Sequence, residues 1–132
     1  MSSVDPMTEN PRGQLSLRTL AMPRDANPSG DIFGGWVLSQ MDIAAGMTAS
    51  LRSHGRVATV AIDAMSFKLP VFVGDILCVY TDLVGIGTTS MKIHVEAWAL
   101  RQSVGLNVKV TEGLFTFVAI DKDRKPRPVP PQ

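Results

Sequence analysis

The chain has 132 residues, of which 45% are hydrophobic and 19% charged, so its length and composition suit one domain with one core. Its formal net charge of +1 offers no electrostatic argument for binding nucleic acid or an anionic membrane. No run of about 18 apolar residues occurs, the first residues lack the apolar core of a signal peptide, and the single Cys78 excludes an intrachain disulfide. These features predict a cytoplasmic protein with no membrane-inserted segment.

The first predicted elements follow a polar N-terminus, residues 1–13, that is expected to be flexible. A short strand is predicted at "QLSLRTL", followed by a loop rich in Pro, Asn, Asp and Gly. A long helix is then predicted from about Gly35 to Ser53, and Gly55 is expected to take the left-handed conformation of a C-terminal cap.

Four strands of about ten or more residues each are predicted after the helix. Their sequences are "VATVAIDAMSFKLP", "ILCVYTDLVGIG", "TTSMKIHVEAWAL" and "LNVKVTEGLFTFVAI". The polar, proline-rich residues 122–132 are predicted to form a tail after a domain that spans residues 14–121. This order predicts an α+β fold in which a five-stranded antiparallel sheet wraps around one central helix.

The predicted helix is apolar on nearly every side, yet one carboxylate, Asp42, lies near its middle. At about 100° per residue, bulky residues such as Met47 and Leu51 fall on one side, which is expected to pack on the sheet. The other side, called the small side below, carries Gly35, Asp42, Gly46 and Ala49. Because one sheet covers only one side of a helix, we expect a second copy of the chain to cover the other.

Asp42 and the glycines at the helix start each allow two interpretations. Asp42 is either a reactive carboxylate kept partly desolvated or a structural residue that bonds a neighbouring Ser, Thr or backbone N–H. Gly34 and Gly35 either make a tight entry to the helix or leave its first N–H groups open to an oxyanion. Gly35 and Asp42 lie about 10 Å apart along the helix, so a site that uses both must draw on two helices, which favours a dimer.

Other kinds of catalytic centre find less support in the sequence. Ser39 in "VLSQM" does not form the nucleophile elbow of a serine hydrolase, and two His and one Cys show no metal-ligand spacing. Arg56, Lys68 and Arg101 are candidate partners for phosphate groups, although solvated surface charge explains each of them as well.

Six stretches closely resemble the hotdog-fold acyl-CoA thioesterases, in particular the YciA-type bacterial branch. They are "LRTLAMP", "DANPSGDIFGGWVLSQMD", "HGRVATV", "MSFKLPVFVGD", "GTTSMKI" and "LFTFVAID". The series covers about residues 15–121 in the order that the family has. The resemblance implies hydrolysis of acyl-CoA to free fatty acid and CoA, over a short to medium or broad range of acyl chains and without a cofactor. It also implies a homodimer as the minimal active unit, assembled further into a tetramer or hexamer.

The resemblance also implies roles for individual residues. Asp42 corresponds to the family's catalytic base or nucleophile, Gly34 and Gly35 to the glycines whose amides polarise the thioester carbonyl, and Asn27 to an Asn that pairs with the Asp across the dimer. Arg56 is a candidate for binding CoA phosphates. The stretches implied to line the CoA site contain Thr59, Val60, Thr88, Thr89 and Ser90.

Two rival functions fit the same fold. One is a non-catalytic acyl-CoA-binding hotdog module that senses acyl chains, although such sensors usually carry a DNA-binding segment and none is recognised here. The other is a hotdog dehydratase, which normally pairs a His with the acid, whereas no His lies near Asp42 in the predicted helix. Release of free thiol from acyl-CoA separates all three functions.

Overall fold

One long helix lies against a five-stranded antiparallel sheet in the computed structural model, which describes residues 10–132. The elements are β1 (Gln14–Leu20), a 3-10 turn (Pro23–Asp25), α1 (Gly34–Ser53), β2 (Val57–Ile62), β3 (Ile76–Ile86), β4 (Ser90–Arg101) and β5 (Leu106–Ala119). The strand order is β1-β3-β4-β5-β2, so β1 and β2 form the two edges of the sheet. The predicted α+β arrangement is confirmed. The flexibility predicted for the N-terminus falls mainly on residues 1–9, which lie outside the described residues.

The helix contacts all five strands through a buried stripe that winds around it. The stripe comprises Val37, Met41, Ala44, Ala45, Ala49 and Ser53. Most of these residues are four apart, and each such step advances about 40° around the helix. The stripe therefore rotates along the helix, as contact with a twisted sheet requires.

This rotation corrects the prediction for the second half of the helix. Met47 and Leu51 were expected against the sheet but are 45% and 77% exposed, whereas Ala49 from the small side is fully buried. The prediction assumed one fixed packing direction, which holds only for the first half. None of the helices among residues 10–132 combines the length and apolarity that crossing a membrane requires.

β2 is shorter than the predicted strand. It ends at Ile62, whereas the prediction extends the strand to Pro70. The segment 63–70 still follows β5 through widely spaced bonds. The N–H groups of Asp63 and Lys68 donate to β5 carbonyls (3.0 and 2.9 Å), and the Thr111 hydroxyl of β5 donates to the Ser66 carbonyl (2.8 Å). A register irregularity within β2 explains the early end, because such a bulge bends an edge strand away from its ladder.

The helix ends differently from the predicted glycine cap. His54, rather than Gly55, takes the left-handed conformation, with φ of 57°. The N–H of Gly55 bonds to the Ser50 carbonyl (3.2 Å), and the Ser50 hydroxyl donates to the Gly55 carbonyl (2.7 Å). Gly55 instead lies in close contact with Arg127, whose Nη2 is 2.6 Å from where a Cβ would stand and would have to shift to make room for one.

A charged cluster lies on the sheet face away from α1. The Glu96 side chain is only 5% exposed, and it accepts a hydrogen bond from the Trp98 indole (2.9 Å). His94 Nε2 lies 3.1 Å from Glu112 Oε1, and the Lys109 ammonium contacts both carboxylates, at 3.8 Å from Glu96. The side-chain ligand atoms of His94, Glu96 and Glu112 lie within 4.8 Å of one another, the closeness that metal coordination would need. Lys109 already supplies a cation there, which fits a structural network.

Replacing Glu112 by glutamine is expected to destabilise the protein more at neutral pH than in acid. The hydrogen bond from the Lys109 ammonium, followed by that from His94, holds the pKa of Glu112 below its usual range. Ionised Glu112 therefore contributes stability above its unfolded pKa, and this contribution is lost as the pH falls through the folded pKa. Because the side chain is 36% exposed, we expect a loss of at most about 1 kcal/mol at pH 7.

Denaturant unfolding at pH 7 and pH 4, at one protein concentration, measures this difference. The gap between the variant and the wild type should narrow at pH 4. If the variant and the wild type differ by the same free energy of unfolding at pH 7 and at pH 4, the Glu112 charge contributes nothing to stability.

Candidate active site

The start of α1 presents backbone N–H groups that no capping side chain uses. The residue before the helix is Phe33, whose side chain provides no capping hydrogen bond. The N–H groups of Trp36 and Val37 bond to the Phe33 carbonyl at 3.1 and 3.3 Å. The first N–H groups of a helix lack partners within it, and here they belong to Gly34 and Gly35. These donors, with the positive end of the helix dipole, suit a developing oxyanion.

Neither Gly34 nor Gly35 is required by the conformation or packing of the described chain. Both lack a positive φ. A Cβ at Gly35 would meet nothing within 4 Å, and a Cβ at Gly34 would only touch the Phe67 ring at 3.7 Å. The chain itself therefore leaves the N–H groups of both glycines open to close approach by a ligand.

A cavity of about 260 Å³ opens beside the helix start. Asn27, Asp31 and Gly34 line it together with the apolar residues Ile32, Val37, Phe67, Leu69, Pro70, Val71 and Val110. Asn27 Oδ1 accepts hydrogen bonds from the N–H groups of Ser29 (2.9 Å) and Asp31 (3.1 Å), which orders the loop before the helix. An apolar pocket next to open N–H groups suits an acyl chain that ends in a carbonyl. Phe67 and Leu69 were not predicted to line this cavity, because the sequence pattern assigned them to a strand.

Asp42 lies on the side of α1 that faces β2. It is half-buried, and its Oδ1 accepts a hydrogen bond from the Thr59 hydroxyl at 2.7 Å. The neighbouring Val60 is 56% exposed and lies at the register irregularity of β2. The Thr59 contact fits both interpretations of Asp42, since a hydroxyl can satisfy a structural carboxylate or orient a catalytic one.

The predicted site residues fall into two separate groups within one chain. Asn27, Gly34 and Gly35 lie at the helix start, whereas Asp42 and Thr59 lie farther along the helix and on β2. Eight residues separate Gly34 from Asp42, which corresponds to about 12 Å along the axis. One chain therefore does not bring its carboxylate to its own helix-start amides.

The residues predicted to line the CoA site lie near one end of the sheet. Ser90 of β4 and Ala58 of β2 pair with opposite sides of Val118, so they lie about 10 Å apart, or two strand spacings. Thr88 and Thr89 form the turn before Ser90, and the Arg56 side chain is exposed just before β2. The structure thus places these segments near Thr59.

Arg101 and Lys68, the other candidate phosphate partners, lie elsewhere. The Arg101 guanidinium pairs with Asp75 (3.1 Å), donates to the Pro70 carbonyl (2.7 Å) and lies 4.6 Å from the centre of the Phe72 ring. It therefore holds the loop before β3. The Lys68 N–H bonds to the Val110 carbonyl, beside the acyl-sized cavity rather than beside the turn at Thr88.

Comparison with known proteins identifies the class that this fold and this site define. Residues 29–105 match the model of the thioesterase superfamily, and this is more than half of the chain. The chain belongs to the thioesterase superfamily. It is 50% identical over 129 residues to the acyl-CoA thioester hydrolase YciA of Salmonella typhimurium, a match that covers 96% of this chain and 97% of the relative.

Two solved structures resemble the whole architecture. HI0827, described as a hexameric broad specificity acyl-coenzyme A thioesterase, shares 43% identity and a TM-score of 0.92, over 98% of this chain and 90% of that chain. The hexameric thioesterase y2039 from Yersinia pestis shares 46% identity and a TM-score of 0.88, over 93% of this chain and 100% of that chain. The predicted family, and with it the hotdog fold, is confirmed.

Replacing Thr59 by valine is expected to lower kcat for acyl-CoA hydrolysis by about tenfold. Valine keeps the shape and strand preference of threonine but cannot donate to Asp42, so the carboxylate loses one orienting hydrogen bond. Steady-state hydrolysis of an acyl-CoA measures the effect, and Thr59→Ser, which keeps the hydroxyl, is the matched control. Equal rates for the valine variant and the wild type would show that Thr59 does not orient Asp42.

Proposed function

We propose that this chain is an acyl-CoA thioester hydrolase, which releases a free fatty acid and CoA. The observation that supports this most directly is the pair of helix glycines that the chain itself does not need, next to an apolar cavity. The names of the relatives agree with it, since they are described as acyl-CoA thioester hydrolases or thioesterases.

In the proposed mechanism, the thioester carbonyl accepts hydrogen bonds from the amides at the start of one helix. Gly34 and Gly35 supply these amides, and the oxyanion of the tetrahedral intermediate is stabilised there. Asp42 takes a proton from the attacking water, or attacks the carbonyl carbon directly to form an anhydride that water then hydrolyses. In both routes the bond between the carbonyl carbon and sulfur breaks and CoA leaves as a thiolate. The thiolate takes up a proton, from protonated Asp42 in the first route and from water in the second. Asn27 orients the water or the carbonyl, and Thr59 orients Asp42.

We further propose that the minimal active unit is a homodimer formed through β2. This strand is an edge of the sheet next to Asp42, and its apolar residues Val60 and Ile62 are 56% and 38% exposed. Antiparallel pairing of two β2 strands would provide partners for the backbone N–H and C=O groups along their edges. It would also place the two helices antiparallel. The start of one helix would then lie beside the middle of the other, where Asp42 is, so that Asp42 and the glycines of each site come from different subunits.

Larger assembly is supported by the apolar surface that a single chain leaves open on the helix. Ile43, Met47 and Leu51 are 49%, 45% and 77% exposed. Such a surface is typical of an oligomer contact. We propose a hexamer, the state described for HI0827 and the Yersinia pestis protein, in preference to the tetramer that the sequence also allowed.

The proposed substrate range is broad, from short to medium acyl chains, in line with the description of HI0827. CoA would lie against Arg56, Thr59, Val60, Thr88, Thr89 and Ser90. The proposed chemistry uses water and side chains alone, with CoA as part of the substrate and product. We place the enzyme in the cytoplasm, where a lone buried thiol such as Cys78 stays reduced.

Free-thiol release from a series of acyl-CoA substrates of increasing chain length tests the function. A hydrolase releases one CoA thiol and one fatty acid for each substrate consumed. A sensor binds acyl-CoA without releasing thiol, and a dehydratase converts a hydroxyacyl-CoA to an enoyl thioester. Binding without thiol release, for every chain length, would reject the proposed activity in favour of the non-catalytic acyl-CoA-binding module.

A further inference from the structure

The C-terminal residues 122–132 pack against the end of α1. The Arg127 guanidinium donates through Nε to the Ile120 carbonyl (2.9 Å), through Nη1 to the Ser53 carbonyl (2.9 Å), and through Nη2 to the Ser53 hydroxyl (3.3 Å) and the Arg56 carbonyl (3.4 Å). One side chain thereby joins three parts of the fold: the last helix residue, the link between α1 and β2 (residues 54–56), and the end of β5. The sequence predicts this segment as a polar tail beyond the domain, whereas its contacts are with the domain.

Gly55 shows how closely this link packs on Arg127. Its φ is not positive, so the backbone alone does not require a glycine there. A Cβ at this position would come within 2.6 Å of Arg127 Nη2 and 3.3 Å of Cζ. The glycine and the guanidinium are therefore complementary, and the path from Ser53 to Arg56 depends on the position of Arg127.

Two further hydrogen bonds tie the same segment to its surroundings. The N–H of Val129 donates to the Thr88 carbonyl at 2.8 Å, in the turn between β3 and β4. The Arg52 guanidinium donates to the Pro130 carbonyl at 2.7 Å, from the last turn of α1. The C-terminal segment thus contacts both stretches that the proposed function assigns to CoA, the one that follows Arg56 and the turn at Thr88.

We infer that residues 122–132 are a positioning segment for the CoA-binding end of the site, with Arg127 holding the link that contains Arg56 and Val129 holding the turn at Thr88. This inference rests on the proposed function only in that those two stretches bind CoA. Arg127 acts through other residues, because its Nε, Nη1 and Nη2 groups are already engaged by Ile120, Ser53 and Arg56. Its loss should weaken binding of the nucleotide part of CoA while chemistry at Asp42 continues.

Arg127→Ala is expected to raise KM for an acyl-CoA by about tenfold and to change kcat by less than about threefold. Arg127→Lys should behave similarly, because a single ammonium cannot replace a planar group with several fixed donors. The KM for the matching acyl-pantetheine thioester, which lacks the nucleotide, should stay unchanged. Lys122→Ala, an exposed cation of the same segment, is the control and should leave all values as in the wild type.

Val129→Pro provides a second variant, because it removes the N–H that donates to Thr88 while proline keeps an apolar side chain at a position that packs against the core. It should raise KM for acyl-CoA alone, so the inference stays testable if Arg127→Ala fails to fold. An equal rise in KM for acyl-CoA and for the acyl-pantetheine thioester, or no change in KM for acyl-CoA, would overturn the inference.

Calorimetric titration with CoA gives a readout that needs no hydrolysis. If the wild type bound CoA but released no thiol, the proposed activity would fail, while weaker CoA binding by the variants would still support the positioning role.

Discussion

Replacing Asp42 by asparagine is expected to lower kcat for acyl-CoA hydrolysis by about 10²–10⁴-fold, the usual contribution of a positioned base. Asparagine has the size of aspartate and can accept the hydrogen bond from Thr59, but it neither takes a proton from water nor attacks a carbonyl carbon. The KM should change little, because asparagine keeps the size of Asp42 and its hydrogen bond from Thr59, so the surroundings of the substrate are preserved. Steady-state thiol release at saturating substrate measures the effect.

Asp63→Asn is the matched control for this experiment. Asp63 is an exposed acid just after β2, so the same change of charge there should leave the rate within about twofold of the wild type. Size-exclusion chromatography and denaturant unfolding establish whether each variant assembles and folds like the wild type. A fully active, normally assembled Asp42→Asn variant would leave Asp42 with the structural role that its Thr59 contact also allows.

The second large effect is expected when two inactive variants are combined in one oligomer. Gly35→Leu places a side chain over the helix-start amides, in space that the chain itself leaves empty, and should reduce kcat by about 10²–10³-fold. Asp42→Asn removes the carboxylate. If each site takes its amides and its carboxylate from different subunits, a mixed dimer contains one intact site and one doubly altered site. Random mixing should then restore about a quarter of the wild-type activity in the whole population, and up to about a half in dimers isolated because they contain both variants.

Coexpression of the two variants with different affinity tags, followed by purification through both tags, isolates the mixed oligomers for assay. A mixture of separately purified variants, assayed before subunits exchange, is the control and should stay inactive. Mixed oligomers that are no more active than either parent would show that both groups act within one subunit. The proposed dimer through β2 would then be wrong.

Much of the fold could be predicted from the sequence because it depends on local patterns. The alternation of Ile93, Val95 and Ala97 with polar residues defines β4, and these three residues are buried in the core. The helix was placed to within one residue, because its apolar run begins after two glycines and ends near His54. The local pattern gave the wrong end for β2, because the bulge in that strand depends on its pairing with β5.

The sequence predicted individual residues of the candidate site, whereas the contacts between them came only from the tertiary structure. A lone carboxylate in an apolar helix and a glycine pair at its start stand out in the sequence, because both carry a local energetic cost. The hydrogen bond from Thr59 to Asp42 joins residues 17 positions apart, and no local pattern encodes such a pairing. Arg127 was overlooked for the same reason, because its acceptors Ser53 and Arg56 are more than 70 positions away.

The sequence by itself determined the class of fold, the helix with its isolated Asp42, and the need for something outside the chain to cover that helix. These follow from periodicity, from composition and from the cost of leaving apolar surface in water. Tertiary structure alone decided which helix residues are buried, because the contact stripe winds with the twist of the sheet. It also decided that the proline-rich C-terminus packs on the domain, because a guanidinium finds its carbonyl partners only after the chain has folded back on itself.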